Sequence, residues 1–391
     1  MTARRLRALD ISCGVGAAYA AKLLAELDWD VVKYEPPGGD PLRARVSRWG
    51  GGAGGAFAFV NQGKRGVSGA PASLLPELAA AADVVIGDFS PPGLTQAGLD
   101  PGTADALVPG LAVVSVSPFG LTMPKASRAA SDLVVQAASG LLYMTGEWDQ
   151  PPLQLAPDQA ALLGGVTGAS AATLAASLGR RTGTVQYADI AMVETLASFA
   201  YSAVSQYVHH GEVTAREQRI KAGLRMVPAR DRFVYCAPGA VAAMRMDGIA
   251  ELLSEPRLAA ERFQTAEGRM QNWDEFVALF VPPFRTRTAQ EWFERAEAMH
   301  MTFALVQTVD DLFVCPQLGA RGLLREVAGR DGVTLRLPGR PFRIDGTPSL
   351  ELRPAPAEPG CDTAEVVADW IGGAPQAATQ ADVGREVRGL G

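Results

Sequence analysis

Two glycines near the N-terminus are the first residues whose type and spacing suggest a chemical role. Gly14 and Gly16 follow the apolar segment LRALDIS and precede the helical segment AAKLLAELDW. A strand, a glycine turn and a helix in this order form a dinucleotide-binding unit, in which the turn admits a pyrophosphate. Tyr19 stands where that motif needs its third glycine, and its side chain fills the space for close helix–strand packing. We therefore predict a strand-to-helix turn that needs small residues, and no NAD site.

The residue counts argue against several other kinds of site. The chain has 391 residues with only three histidines, and its four cysteines, Cys13, Cys236, Cys315 and Cys361, form no CxxC pair. This pattern argues against a structural zinc, a disulfide framework and a Ser-His-Asp triad, and it favours reduced thiols in the cytoplasm. The segment NQGKRG lacks the spacing of a phosphate-binding P-loop. We expect no metal site.

Charge and hydropathy restrict the partners. The net charge is -6, with 48% hydrophobic and 20% charged residues. An acidic chain is a poor nucleic-acid binder, because phosphate neutralisation needs a basic surface. We find no uninterrupted apolar run that would span a bilayer and no apolar core of a secretory signal at the N-terminus. The expectation is a cytoplasmic enzyme without nucleic-acid or membrane partners.

The elements that must position the glycine turn alternate between strand and helix up to about Val116. The apolar segments DVVKYE, DVVIGDF and LAVVSVS are predicted strands, and helical segments separate them. This alternation predicts an α/β fold with a parallel sheet covered on both faces. The segment FAFVNQGKRGVS is predicted to form a short strand followed by a basic turn.

The length of the chain favours two packed domains. A large Rossmann-like domain is predicted for residues 1–205 and 335–391, and a smaller α+β domain for residues 225–330. Residues 206–224 and 331–334 are the predicted linkers. In the small domain, Trp273 and Trp292 recur with helical spacing and are expected to be core residues.

A series of longer motifs occurs in a fixed order along nearly the whole chain. They read LLAELDWDVVKYEPPGGDPLR, VNQGKRG, ADVVIGDFSPPG, VSVSPFG, RAASDLVVQAASGLLYMTG, RRTGTVQYADI, PQLGARGLL and LPGRPFRIDGTP. In this order they resemble the class III CoA-transferase family, which includes the CaiB/BaiF proteins, formyl-CoA transferases and α-methylacyl-CoA racemases. The resemblance implies a Rossmann-like domain that binds coenzyme A as a substrate, and an interlocked homodimer.

The resemblance also implies a reaction that moves CoA from an acyl-CoA to a small carboxylic acid. An aspartate carboxylate attacks the thioester and forms a mixed anhydride. The released CoA thiolate returns and forms an aspartyl-CoA thioester. The acceptor carboxylate then passes through the same steps in reverse and becomes the new acyl group of the CoA thioester. Covalent catalysis of this kind divides one difficult exchange into easier steps.

The family's aspartate lies at the start of the helix that leads to RRTG. Counting forward from PPLQLAP places it at Asp158, whereas counting back from RRTG places it near Ala161. Asp158 is the only carboxylate of this segment, so the chemistry favours it. An aspartate before an apolar helical run is equally an ordinary N-cap. If Ala161 is the equivalent position, the chain has no transferase nucleophile.

Other departures from the family keep three functions open. Ser131 stands where the racemases have a histidine, Gln96 replaces a basic residue, and Asp88 replaces an asparagine. The leading interpretation is a CoA transferase with Asp158 as the nucleophile. The alternatives are a repurposed CoA-ester enzyme, such as a racemase, isomerase or dehydratase, and an inactive CoA-binding paralogue.

The CoA contacts are implied by position within the motifs. They are Val15, Gly16, Asn61, Lys64, Arg65, Asp88, Phe89, Ser90 and Arg128. The basic residues among them would meet the phosphates, or would form a solvated basic turn. The Asp-Phe-Ser segment follows a predicted strand, at the edge where doubly wound sheets bind ligands.

Overall fold

The fold is known from a computed structural model. The structure describes residues 4–45, 54–68, 74–122, 128–147, 149–214, 216, 226–236, 246–328, 334–344 and 353–372. The chain divides into two compact units. The first comprises Met1–Gly146, Pro152–Thr214 and Gly322–Gly391, and the second comprises Glu147–Pro151 and Ala215–Arg321. Residues 215 and 217–224 of one predicted linker and 331–333 of the other lie outside the described residues.

A six-stranded parallel sheet forms the centre of the first unit. Its strands are β1 (Arg7–Asp10), β2 (Asp30–Glu35), β3 (Arg65–Ser68), β4 (Val84–Gly87), β5 (Ala112–Ser117) and β6 (Gln186–Ala191). They lie side by side in the order β3-β2-β1-β4-β5-β6, and every neighbouring pair is parallel. Strands β4 and β5 are buried along their whole length, as strands covered on both faces must be. The predicted parallel α/β sheet is confirmed.

The helices of the first unit separate or follow these strands in the chain. In chain order they are α1 (Val15–Ala25), α2 (Gly55–Val60), α3 (Leu74–Ala80), α4 (Pro91–Gln96), α5 (Pro101–Leu107), α6 (Asp132–Ala138), α7 (Gln159–Thr182), α8 (Met192–Ser198) and α9 (Tyr201–His210). Helices α1 and α7 pack together on one face of the sheet, where small residues such as Ala20 and Ala172 are fully buried. Helix α3 contributes Leu74 and Leu78 to a second core.

Glycines bring α7 very close to its neighbours. A Cβ atom on Gly165 would lie 2.6 Å from the carbonyl oxygen of Gly16 and 3.0 Å from Cδ1 of Tyr19. Tyr19 can therefore stand at the third-glycine position of α1, because the glycine that allows close packing lies on the facing helix, at Gly165 of α7. Among the described residues, α7 is the one helix long and apolar enough to cross a membrane, and 44% of its most apolar stretch is buried inside the protein.

The segment FAFV is helical, so its prediction as a strand was wrong. It belongs to α2, which begins after Gly54, a residue with a left-handed φ of 91°. Phe57 and Val60, three positions apart, share the buried side of this helix, and the Phe59 ring stacks on Tyr19 at 5.6 Å between centroids. A short apolar segment such as FAFV is compatible with a helix or with a strand, and its packing partners decide which of the two forms. The strand itself starts later, at Arg65.

The second unit has its own sheet and core. Its antiparallel strands are β7 (Met226–Pro228), β8 (Phe233–Cys236) and β9 (Phe303–Leu305). Its helices are α10 (Met246–Leu253), α11 (Ala266–Gln271), α12 (Trp273–Phe284), α13 (Ala289–Ala298), α14 (Val309–Val314) and α15 (Pro316–Arg321). Trp292 is 2% exposed, and its indole N–H donates to the Phe284 carbonyl at 2.8 Å. Trp273 packs against the same core from a partly buried position.

The chain after residue 321 belongs to the first unit. It forms an antiparallel pair, β10 (Leu324–Ala328) and β11 (Thr334–Pro338), and then the helix α16 (Thr363–Trp370). Val366, Val367 and Trp370 of α16 complete the second core of the sheet. The last described turn ends at Gly372, whose φ of 75° is left-handed, a common way for a helix to stop.

Candidate functional site

A cavity of about 290 Å³ lies at the carboxyl ends of β1, β4 and β5. Parallel sheets bind ligands at this edge. The residues that line it are Gly14, Val15, Gly16, Leu42, Arg45, Asp88, Val116, Pro118, Ala130, Asp132, Val135, Asp158, Ala161 and Met192. Four of the predicted site residues are therefore brought together here, namely Val15, Gly16, Asp88 and Asp158. Ala161, the alternative nucleophile position, lines the same cavity.

Asp158 precedes α7 but does not cap it with its side chain. Its backbone is left-handed, with φ 64° and ψ 12°, and its carboxylate makes no capping hydrogen bond. Instead, the Arg45 guanidinium lies 2.8 Å from Oδ2 of Asp158 and donates to Oδ1 at 3.0 Å. The carboxylate is thus held by a side chain of the cavity wall. The ordinary N-cap interpretation is not what the structure shows.

Asp132 performs the capping that the sequence suggested for Asp158. Its Oδ1 accepts the backbone N–H of Ala161, in the first turn of α7, at 3.2 Å. Its Oδ2 accepts from the Gln136 amide at 2.6 Å, and Oε1 of Gln136 accepts the Leu155 N–H at 3.0 Å. Asp and Gln four positions apart lie on one side of a helix. The DLVVQ motif therefore connects α6 to the segment that presents Asp158.

Asp88 is placed by the turn that follows β1. Its Oδ1 accepts the Cys13 N–H at 3.0 Å, and a Cβ atom on Gly14 would lie 2.9 Å from Oδ2. Gly14 must therefore be small for Asp88 to approach. Desolvation in the cleft raises the pKa of the Asp88 carboxyl, although the Cys13 N–H and the Lys33 ammonium oppose the shift.

Lys64 is fully buried beneath the cavity wall and does not line it. Its ammonium donates to Oδ2 of Asp10 at 2.6 Å, to the carbonyl of Ala18 at 2.8 Å and to Oδ1 of Asn61 at 2.8 Å. These three acceptors account for all three ammonium hydrogens. Asn61 is buried with it. In this structure neither residue is available to a phosphate, and their assignment as CoA contacts stays a prediction.

Asp10, Lys33, Asp40 and Lys64 form what we call the buried ionic cluster, and all four are at most 2% exposed. Lys33 Nζ lies 2.9 Å from Oδ2 of Asp40 and 3.6 Å from Oδ2 of Asp10. Burial alone would raise the pKa of Asp10, but the two ammonium groups outweigh it and lower that pKa to about 2. Burial lowers the pKa of Lys33, and the two carboxylates more than reverse this effect, so its pKa is raised.

Arg65 links the sheet to the C-terminal helix. Its guanidinium contacts Asp30 at 2.7 Å, Asp369 at 2.6 Å and Glu365 at 3.1 Å. The side chain is only 8% exposed. Three carboxylates thus already compensate its charge, and the structure does not bring Arg65 to the cavity.

The last three predicted contacts also lie off the cavity lining. Phe89 is buried in the second core of the sheet and its ring sits against Gly87. Ser90 caps α4 and accepts the Gly93 N–H at 3.2 Å. Arg128 is exposed and precedes Ala130, which lines the cavity. Their assignment as CoA contacts stays a prediction.

Two polar residues of the cavity were not predicted, Arg45 and Asp132. The spacing of Asp132 and Gln136 in the DLVVQ motif was a usable signal, because it places both on one helix side. Arg45 had no such signal. It follows the turn Pro41–Arg43 and meets Asp158 across 113 residues of sequence, a contact that only the folded chain creates.

Comparisons with known proteins identify the family of the chain. The chain is 26% identical over 367 residues to the succinate–glutarate CoA-transferase of Agrobacterium fabrum, covering 90% of this chain and 91% of that protein. It is 26% identical over 361 residues to the acetyl-CoA:oxalate CoA-transferase of Acetobacter aceti, covering 89% and 90%. The crystal structure of a CAIB/BAIF family protein from Brucella suis superimposes with a TM-score of 0.82 at 25% identity, covering 93% of this chain and 98% of that one. The family model described as CoA-transferase family III matches residues 5–363. The chain therefore belongs to CoA-transferase family III.

Proposed function

We propose that this protein moves CoA from an acyl-CoA thioester to a small carboxylic acid through a covalent intermediate on Asp158. The observation that carries the proposal is the position of its carboxylate. It lines the cavity beside the glycine turn and makes no cap bond to its own helix. Ala161 lines the same cavity, but a methyl group cannot attack a thioester, so Asp158 is the residue of this segment with the required chemistry.

The proposed exchange has four steps and needs no net proton transfer. The Asp158 carboxylate attacks the thioester carbon and expels the CoA thiolate, which leaves a mixed anhydride. The thiolate attacks the aspartyl carbonyl carbon and expels the donor acid as its carboxylate, leaving an aspartyl-CoA thioester. The acceptor carboxylate then attacks this thioester and expels CoA thiolate, and the thiolate finally attacks the acceptor carbonyl and releases Asp158.

The glycine turn supports these steps electrostatically. Val15 and Gly16 form the first turn of α1, and the first N–H groups of a helix have no partner within the helix. Both residues line the cavity. Their N–H groups are the candidates to stabilise the oxyanion of each tetrahedral intermediate.

The proposal is tested with Asp158→Asn and a matched control, Asp28→Asn. Asp28 has a similar left-handed φ, 67° against 64° for Asp158, but it lies outside the cavity lining. After incubation with succinyl-CoA, intact-mass analysis is expected to show a CoA adduct on the wild type and on Asp28→Asn, and none on Asp158→Asn. Transfer by Asp158→Asn is expected to fall more than about a thousandfold. Normal turnover by Asp158→Asn would refute the nucleophile assignment.

A second candidate function is proton abstraction at the α-carbon of a CoA ester. It is favoured by Asp88, because a carboxyl group with a raised pKa is a better general base at neutral pH, and it lines the same cavity. Exchange of the α-hydrogen of an acyl-CoA in deuterated water measures this activity directly. Exchange by Asp158→Asn without any adduct on the wild type would favour this function over transfer.

We also propose that the protein works as a homodimer, interlocked as the family resemblance implies. Large apolar side chains are exposed along the outer side of α7 and on α9, including Leu174 at 71%, Tyr201 at 76% and Val208 at 71%. Apolar surface of this kind is typical of a protein interface. Analytical ultracentrifugation is expected to show a dimer that Val208→Asp weakens. Thr95→Asp, at an exposed position of α4, should leave the dimer intact. A monomeric wild type would contradict the proposal.

A further inference from the structure

Arg45 is the cationic side chain of the cavity. Among the described residues that line it, Arg45 is the one with a basic group, and it faces a wall that carries three carboxyl groups. Its guanidinium contacts both oxygens of Asp158 through Nη2. The side chain is 40% exposed, so a small solute can reach it.

The other two carboxyl groups of the wall have different partners. Asp132 accepts from Ala161 and Gln136, and Asp88 accepts from Cys13. Arg45 therefore compensates the charge of Asp158 in particular. The backbone of Arg45 is held on both sides, since its N–H donates to Leu42 and its carbonyl accepts from Gly54.

The proposed reaction removes this charge from Asp158. In the aspartyl-CoA thioester the aspartyl group is neutral, so the guanidinium loses the carboxylate that it holds in the free protein. A cation left in a cleft without a counter-ion attracts an anion, and guanidinium binds a carboxylate through two parallel hydrogen bonds. The acceptor of the second half-reaction is a carboxylate.

We propose that Arg45 binds the carboxylate of the acceptor acid once Asp158 carries the CoA thioester. This assignment rests on the proposed function. Arg45 thus alternates between two carboxylates, that of Asp158 in the free protein and that of the acid in the thioester state. In the step that follows, an oxygen of the bound acid attacks the aspartyl carbonyl carbon, the C–S bond breaks, and the electron pair leaves with the CoA thiolate.

The test compares two nucleophiles on the same adduct. The aspartyl-CoA adduct is formed with succinyl-CoA and freed of excess reagent, and its loss is followed by intact mass after addition of succinate or of hydroxylamine. Succinate is an acceptor for this adduct, because its attack reverses the step that formed it. Hydroxylamine is uncharged at neutral pH. Arg45→Gln is expected to slow the reaction with succinate about tenfold to a hundredfold, and that with hydroxylamine by less than about twofold.

Arg45→Lys keeps the charge but not the paired donors, and its reaction with succinate should slow by roughly threefold to tenfold. It provides the same comparison if Arg45→Gln forms no adduct. Arg4→Gln, an exposed arginine paired with Asp83, is the matched control and should react as the wild type does. Equal slowing of both nucleophiles, or of neither, would overturn the assignment of Arg45. Failure of the wild type to form any adduct would instead refute the proposed function.

Discussion

Asp158 occupies a backbone conformation that costs free energy. Among the described residues, only four other than glycine have positive φ: Asp28, Asp158, Ser254 and His300. A left-handed residue with a Cβ atom is destabilised by about 1–2 kcal/mol. Such strain is often found where a side chain must be presented for function. At Asp158 the conformation directs the carboxylate to Arg45 instead of to the N–H groups of α7.

This strain predicts a difference in stability between two variants that both lose activity. Asp158→Gly is expected to be more stable to urea unfolding than Asp158→Ala by about 1 kcal/mol, because glycine adopts positive φ without a steric cost. Both variants should lose transfer activity. The same pair of substitutions at Asp28 should show the same stability difference while activity is retained. Equal stability of the Gly and Ala variants at position 158 would contradict the strain.

The buried ionic cluster predicts how stability depends on pH. The pKa of Asp10 falls from 3.8 to about 2 on folding, so the folded protein favours the ionised form. The resulting stabilisation is fully present above the unfolded value and is lost as the pH falls from 3.8 toward 2. Asp10→Asn leaves two buried ammonium groups short of a counter-charge and is expected to cost about 3–5 kcal/mol.

Urea unfolding as a function of pH measures both effects. The decline in the free energy of unfolding below pH 3.8, the unfolded value of Asp10, should be shallower in Asp10→Asn than in the wild type. Glu77→Gln, which changes an exposed carboxylate of α3, should leave the profile unchanged. An Asp10→Asn protein as stable as the wild type at neutral pH would mean that the cluster does not depend on this charge.

At the scale of elements, the contact between α1 and α7 positions the site. The same two helices carry the glycine turn and the segment that begins at Asp158. Their distance is set by Gly16 and Gly165, where backbone atoms replace side chains. A Cβ atom on Gly16 would also lie 2.7 Å from Met192 and 3.1 Å from the Ala161 carbonyl. The small size of Gly16 is therefore required by packing within the protein, whatever CoA also needs.

Gly165→Ala is expected to destabilise the protein by about 1–3 kcal/mol, because the new methyl group would press on the backbone of α1. It should also reduce adduct formation, since residues of both helices line the cavity. Gly55→Ala is the matched control. It makes the same substitution in α2, where a Cβ atom would meet nothing within 4 Å, and should be neutral or stabilising by up to about 1 kcal/mol. Thermal unfolding and intact mass measure the two effects.

At the scale of the whole molecule, the chain closes on itself within the first unit. Helix α16 lies against β3, and the Trp370 indole N–H donates to Asp30 of the neighbouring strand β2 at 2.7 Å. Arg65 joins the same carboxylate to Glu365 and Asp369 of α16. A segment about 300 residues downstream thus covers the edge strand of the sheet. Edge strands left uncovered are prone to pair with other chains.

Removing the Trp370 ring is expected to be costly. Trp370 is 6% exposed within the second core of the sheet, so Trp370→Ala should lower the free energy of unfolding by about 3–5 kcal/mol. Trp370→Phe keeps most of the apolar contact and loses the hydrogen bond to Asp30, at a cost of about 1 kcal/mol. Urea unfolding distinguishes the two. Equal losses in both variants would show that the hydrogen bond, and not the packing, attaches the helix.

The amino-acid sequence by itself determined the parallel α/β architecture and the family. Near-continuous apolar strands such as DVVIGDF bury both of their faces in a sheet that is covered on both sides. The ordered motifs identified CoA-transferase family III. Periodicity also placed Trp292 in a core. These features follow from local patterns, so they can be recognised before the fold is known.

Only the tertiary structure decided which polar groups meet. Lys64 read as a solvated or phosphate-binding lysine, yet the fold buries it against Asp10. FAFV, predicted as a strand, is a helix in the fold, with Phe57 and Val60 buried and Phe59 stacked on Tyr19. By sequence, Asp158 was either a nucleophile or an ordinary cap; in the fold, Asp132 accepts the N–H of Ala161 and Arg45 contacts the Asp158 carboxylate. Each outcome depends on a contact between residues far apart in the chain, and such contacts exist only once the elements have packed.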